Sequence, residues 1–160
     1  AYTEYLLILP TANALQLVRV KAAYTYSHFT YTGFVQLNTD FSGNTLPSVP
    51  AHTLSVMADI KWQSRFFVNT TYYAASAIWL NDANTARAKP YHLLGFKAGY
   101  GKKRMQFFAG ADNLLNQSYS LGHDINAFGG RFYNAAPGIN WFAGIKAGLP
   151  AKGRVQASKP

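Results

Sequence analysis

The run HTLSVMADIKW, residues 52–62, alternates at every step. Leu54, Val56, Ala58, Ile60 and Trp62 fall on one side, and Thr53, Ser55, Met57, Asp59 and Lys61 on the other. A period of two marks a β-strand, because successive side chains of extended backbone point to opposite faces. After Gln63 and Ser64 the pattern resumes in RFFVNTTYYAASAIW, residues 65–79, with Phe66, Val68, Thr70, Tyr72 and Ala74 against Phe67, Asn69, Thr71 and Tyr73. Two such runs joined by so short a link predict a hairpin.

The same periodicity recurs along the chain. From Tyr91 to Tyr100, Leu94, Phe96, Ala98 and Tyr100 oppose Leu93, Gly95, Lys97 and Gly99, and a turn at 101–104 leads into a strand from Met105 to Asn116. Near the end, Ile139, Trp141, Ala143 and Ile145 alternate with Asn140, Phe142, Gly144 and Lys146. Upstream, Val18, Val20, Ala22, Tyr24 and Tyr26 share a face opposite Arg19, Lys21, Ala23 and Thr25, whereas Leu15 and Leu17 keep the other phase. One extra residue near Leu17, a β-bulge, restores the register. Tyr5 to Leu9 is a candidate partner strand, turned by residues 10–13. The reading is all-β, with about seven antiparallel strands and no convincing helical period.

The connections between these strands also alternate. They run short (10–13), long (35–50), short (63–64), long (80–90), short (101–104) and long (117–136). Tight turns on one side and long polar loops on the other are the pattern of a transmembrane β-barrel. Composition agrees: 13% of the residues are charged and 16% aromatic, yet the longest apolar runs are far too short for a membrane helix of about 20 residues. Charges fall on the polar side of the strands, at Arg19, Lys21, Asp59, Lys61, Lys97 and Lys146. A soluble barrel would put those charges outside, so alternation alone does not separate lumen from solvent. Aromatic placement favours the membrane reading. Trp62, Phe66, Tyr100 and Phe107 gather at the short-turn end of the apolar face and Tyr24, Tyr26, Tyr72 and Trp141 toward the loop end, as two girdles do.

The formal charge of +9 suits an anionic partner, but the basic residues are scattered and nucleic acid is not the expected one. The lack of Cys excludes a disulfide scaffold, and no signal peptide is visible at the start of the chain. His28, His52, His92 and His123 never take metal-ligand spacing, so neither a metal nor a cofactor is expected. Asp112 and Asp124 invite an acid–base role, but nothing sets a nucleophile beside them and there is no Gly-x-Ser-x-Gly elbow. No catalytic residue is assigned, and the chain is read as a non-enzyme.

Four segments in order carry a family resemblance: AAYTYSHFTYTGF (22–34), GNTLPSVPAHTLSVMADIKW (43–62), FAGADNLLNQSY (108–119) and GGRFYNAAPGINWFAGIKAGL (129–149). Together they resemble the C-terminal part of the β-barrel of a TonB-dependent outer-membrane receptor of the siderophore type. The similarity spans residues 14–149. It implies residues 1–149 as the C-terminal portion of a barrel of about 22 strands and residues 150–160, PAKGRVQASKP, as a flexible tail where the family ends on an aromatic residue. It also implies an outer-membrane location, contact with outer-membrane lipid, and import of a ferric siderophore or similar small molecule driven by TonB. The plug domain that couples to TonB is expected to lie outside this chain.

Within that resemblance, ligand contacts fall in residues 80–91 and 117–136. Arg87, Lys89, Arg131 and Lys97 form a candidate cationic collar for an anionic chelate, and Tyr91, Phe128, Phe132 and Tyr133 can stack on a flat ligand. With His123 added, the ligand-binding candidates are Arg87, Tyr91, His123, Phe128, Arg131 and Tyr133. For any single basic residue and for His123, ordinary loop solvation is the stronger reading, whereas the collar is more credible taken together; for the aromatics, girdle or loop packing is an equal alternative. Arg19, Lys21, Asp59, Lys61, Lys97 and Lys146 are expected to face the lumen and plug. Asn113 and Asn116 are read as satisfying local backbone groups. Two other readings stay open: a small self-contained outer-membrane barrel of about eight strands with a structural or adhesive role, and a soluble β-barrel binding protein.

Overall fold

The computed structural model describes residues 2–7, 14–102 and 104–148, the first of these segments by its backbone alone. In chain order the strands are β1 (Tyr2–Leu7), β2 (Leu15–Tyr26), β3 (Val35–Gln36), β4 (Thr39–Asp40), β5 (His52–Trp62), β6 (Phe66–Ala75) and β7 (Ile78–Trp79). They continue with β8 (Arg87–Ala88), β9 (Tyr91–Lys102), β10 (Met105–Asp112), β11 (Ser120–His123), β12 (Tyr133–Ala135) and β13 (Asn140–Ala147). Seven form one antiparallel meander, in the order β1-β2-β5-β6-β9-β10-β13. The rest pair as three small hairpins, β3/β4, β7/β8 and β11/β12.

Register places the alternating sequence on two unlike faces. One row crosses the sheet as Val18, Ile60, Val68, Ala98, Ala109 and Ala143, and the next as Val20, Ala58, Thr70, Phe96, Ala111 and Trp141. These belong to the apolar face. One residue out of phase lies the row Arg19, Asp59, Asn69, Lys97, on the polar face. The expected bulge is present: Leu15 pairs with Trp62 and Leu17 with Lys61, so Gln16 is the extra residue.

Little of this sheet is buried. Among the described residues Leu80 is the one large side chain that is fully buried, and it lies in a loop. The apolar face stays open, with Phe66, Phe107, Ile145 and Trp141 all exposed, the last at 71%. A soluble fold covers such a surface with a second layer. Here no helix lies against it, the helical content among the described residues being a single 3₁₀ turn at Phe128–Gly130.

On the polar face, glycine and phenylalanine interlock. Phe67 lies over Gly99, Phe142 over Gly110 and Phe108 over Gly144, so close that a Cβ at Gly110 or Gly144 would sit 2.7 or 2.6 Å from the ring. Aromatic cover of a strand glycine restores packing that the missing side chain loses.

Several element boundaries differ from the sequence expectation. The first strand, Tyr2–Leu7, starts earlier than the expected Tyr5, and residues 8–13, with the expected end at Leu9 and the turn at 10–13, lie outside the described residues. The run 65–79 is two elements: after Ala75, the Ser76 amide bonds the His52 carbonyl and the chain leaves the sheet before β7 begins. Met105 to Asn116 ends early, at Asp112, because Asn113 adopts φ 50° and turns the chain. The long loops are not irregular throughout, since each carries one of the hairpins. In the first, Leu37 and Asn38 both take positive φ, as a two-residue type I′ turn requires.

Candidate functional site

The site is built from two parts, a polar wall and a set of loops above one end of it. The wall begins with Lys61, Phe67, Gly99, Phe108 and Gly144 in one cross-strand row, followed by Arg19, Asp59, Asn69 and Lys97 in the next and by Lys21, Met57 and Thr71 in a third. Asn69 donates to Asp59 at 2.5 Å, and the Lys97 ammonium lies 5.8 Å from the centre of the Phe108 ring. Toward the short turns this face forms an open hollow of about 1250 Å³. Lys61, Arg65, Lys97, Lys102, Arg104 and Lys146 line it, together with the amides of Gln16, Gln63, Asn69 and Gln106. Among the described residues no carboxylate lines it, so that lining is electropositive. All six wall residues expected from the sequence lie on this face, but Lys97, also expected in the loop collar, sits mid-strand in β9 and belongs with the wall.

At the opposite end three long connections, residues 27–51, 76–90 and 113–139, join the strands. The middle one is clasped by the other two. From the first, the Tyr31 hydroxyl donates to Asp82 Oδ1 at 2.5 Å and the Asn44 amide to the Asp82 carbonyl at 2.8 Å. Thr45 and Asn84 exchange two bonds: Thr45 N donates to the Asn84 side chain at 2.7 Å, and Asn84 Nδ2 returns to the Thr45 carbonyl at 2.9 Å. From the last connection, Asn126 Nδ2 donates to Asp82 Oδ2 at 2.6 Å and Asn126 Oδ1 accepts from the Asp82 amide at 2.9 Å, while the Asn126 backbone amide reaches the Leu80 carbonyl. Asp82 is only 8% exposed. Partial burial, with the Asp82 carboxylate beside it, pushes the Tyr31 hydroxyl up to about 12.

The ligand candidates from the sequence are divided among several places. Arg87 is exposed on the β7/β8 hairpin, its guanidinium 5.1 Å from the centre of the Trp79 ring, and Lys89 is exposed just after β8. His123 and Tyr133 face each other across β11/β12, ring centres 5.7 Å apart, and burial lowers the His123 pKa. Phe128 is 98% exposed in the 3₁₀ turn, and Arg131, exposed, and Phe132, half-buried, follow it. Tyr91 is elsewhere. It begins β9 opposite Ala75 on the polar face, with Tyr73 at 6.0 Å and Tyr119 at 5.3 Å between ring centres. Three neighbouring tyrosines thus stand at the top of the wall, beneath the loops. Neither Tyr73 nor Tyr119 was singled out from the sequence, although the strand phase of Tyr73 placed it on that face.

Asn113 and Asn116 do what their position suggests. Asn113 is buried, donates to the Gln117 and Pro137 carbonyls at 2.9 and 3.2 Å, and accepts from the Gln117 amide. The Asn116 side chain accepts the Ile139 amide at 3.1 Å. Both hold backbone where the chain turns. The cluster of Tyr31, Asn44, Asp82 and Asn126 escaped sequence reading because its members come from three separate loops and meet only after folding, and NDANT reads simply as turn chemistry. No group of His, Cys, Asp or Glu able to hold a metal occurs among the described residues.

A family model described as TonB dependent receptor-like, beta-barrel, matches residues 8–114. Among solved structures, the siderophore receptor PiuA from Acinetobacter baumannii is similar at a TM-score of 0.61 and 19% identity, over 80% of this chain and 18% of that one. The ferric enterobactin receptor PfeA in complex with BCV-L6 is similar at 0.59 and 20% identity, over 91% of this chain and 22% of that one. A mutant of PfeA from Pseudomonas aeruginosa aligns at 0.51 and 18% identity, over 90% and 21%. At these identities the likeness is one of fold. The chain spans about a fifth of the length of those receptors.

Proposed function

The chain belongs to the TonB-dependent receptor-like β-barrel family, and from that premise we propose that it forms part of the wall and outer mouth of an outer-membrane receptor importing a ferric siderophore. The carrying observation is a sheet with an open apolar face and a cationic polar face, roofed at one end by interlocked loops. The apolar rows contact outer-membrane lipid, since hydrocarbon cannot satisfy polar groups. The short turns lie on the periplasmic side and the long loops outside. Residues 1–149 belong to the barrel, and residues 150–160, beyond the described part, to a tail.

In this reading the loops capture the ligand. Arg87 and Arg131 attract an anionic chelate, since guanidinium forks pair with carboxylate or catecholate oxygens. Phe128, His123 and Tyr133 bear on it from the last loop, and Tyr91 meets it below, at the wall. Arg19, Lys21, Asp59, Lys61, Lys97 and Lys146 face the lumen and its plug, through which TonB supplies energy from the inner membrane. No bond of the substrate is made or broken.

Trp79 serves as a reporter, because Arg87 stacks on it. Titrating the receptor in detergent with a panel of ferric catecholate and hydroxamate siderophores is expected to quench tryptophan fluorescence with one of them. Arg87→Gln together with Arg131→Gln is expected to weaken that binding about tenfold or more. If no member of the panel binds at micromolar concentration, the siderophore reading fails.

A further inference from the structure

Asp82 is a buried carboxylate for which neither the barrel wall nor ligand capture has a use. Burying an ionised group is costly unless its oxygens are bonded. Both are, and by donors from two different connections: Tyr31 from residues 27–51 on Oδ1 and Asn126 from residues 113–139 on Oδ2. No Lys or Arg pairs with it among the described residues, so its charge is carried by neutral donors alone. Its backbone is engaged as well, the carbonyl by Asn44 and the amide by Asn126. The neighbouring Leu80, 1% exposed, gives its carbonyl to the Asn126 amide.

The middle connection is held from both sides. Tyr31, Asn44 and Thr45 bond to it from the first connection, and Asn126 bonds to it from the last. Tyr31 and Asn126 each bond a different oxygen of the same carboxylate, so a displacement of either loop reaches the other through Asp82. We infer that Asp82 is a positioning residue that makes the three connections one mechanical unit, fixing Arg87 relative to Phe128 and Arg131 and linking movement of the last loop to the first.

The functional half of this inference rests on the ligand reading above; the mechanical half does not. The bonds that Tyr31 and Asn126 make to an ionised acceptor are the stronger kind of hydrogen bond, so losing one promotes local opening that hydrogen exchange can read.

The test is hydrogen exchange on the full receptor chain in detergent micelles, without ligand. Asp82→Asn keeps the shape but removes the charge and leaves one acceptor oxygen where Tyr31 and Asn126 each had one. It is expected to speed exchange about tenfold in both 27–51 and 120–135, with β5, β6 and β9 unchanged as the control for folding. Tyr31→Phe removes one hydroxyl and is the milder variant. It is expected to speed exchange at 120–126, in a loop that the Tyr31 hydroxyl reaches only through Asp82. If Asp82→Asn loosens only 76–90, or Tyr31→Phe leaves 120–126 unchanged, the inference is overturned. Because no ligand is present, that failure is distinct from failure of the siderophore reading.

Discussion

Single residues carry unusual strain and unusual pairing here. Arg65 takes φ 75° in the turn after β5, where a side chain costs about 1 kcal/mol that glycine does not. Its side chain lines the cationic hollow, which gives a reason for keeping arginine there. Arg65→Gly is expected to raise stability by about 0.5–1 kcal/mol in urea unfolding from detergent. Asn113 is the opposite case, since positive φ suits it and its side chain closes three backbone bonds. Asn113→Ala should cost about 1–3 kcal/mol in the same measurement, because buried groups lose their partners. Tyr31 supplies a pH dependence. Its folded pKa, about 12, lies above the ordinary value of 10.0, so its contribution is complete below pH 10 and is lost as pH rises through the folded value. Stability in urea unfolding from detergent should therefore fall across that alkaline window in the wild type, and fall less in Tyr31→Phe.

In the proposed barrel the strands set which face would meet lipid, and the three tryptophans separate the possibilities. Trp62 ends β5 and Trp141 lies in β13, both in apolar-face register, whereas Trp79 sits in a loop hairpin. Single-tryptophan variants in vesicles of brominated lipid should be quenched at Trp62 and Trp141 and spared at Trp79. Equal quenching at all three would contradict the assignment of faces. A charge tests the same rows energetically. Ala98→Arg, mid-row on the apolar face, should destabilise by about 2–4 kcal/mol, and arginine one position away at Lys97 by far less. The Phe67, Phe108 and Phe142 rings over glycines add rigidity to the polar face, because each lies in a groove that admits no side chain.

At the scale of the whole molecule, the sheet is open, with β1 and β13 at its edges. Open edges present unpaired backbone groups, which a membrane does not tolerate. The family's closed barrels resolve this by pairing every strand, and a chain spanning about a fifth of such receptors supplies one arc of wall. Charge is distributed by end as well as by face: the cationic hollow lies toward the short turns, and the clasped loops lie at the other end. Long-range attraction of an anion toward the hollow falls with salt, since screening acts over about 10 Å at 0.1 M.

Strand identity, the division into an apolar and a polar face, and the bulge near Leu17 were legible in the sequence because a period of two is a local property, visible wherever one face differs from the other. The alternation of short and long connections was legible for the same reason. What the tertiary structure decided was everything made by residues far apart in the chain. The early end of β10, the separation of β7 from β6 and the hairpins within the loops follow from turn geometry and from bonds between distant backbone groups. The clasp at Asp82 and the tyrosine cluster at Tyr73, Tyr91 and Tyr119 exist only once strands in register carry their loops to the same end. Polar side chains in loops have no periodicity to betray a partner, so their pairing is set by proximity that the fold alone creates.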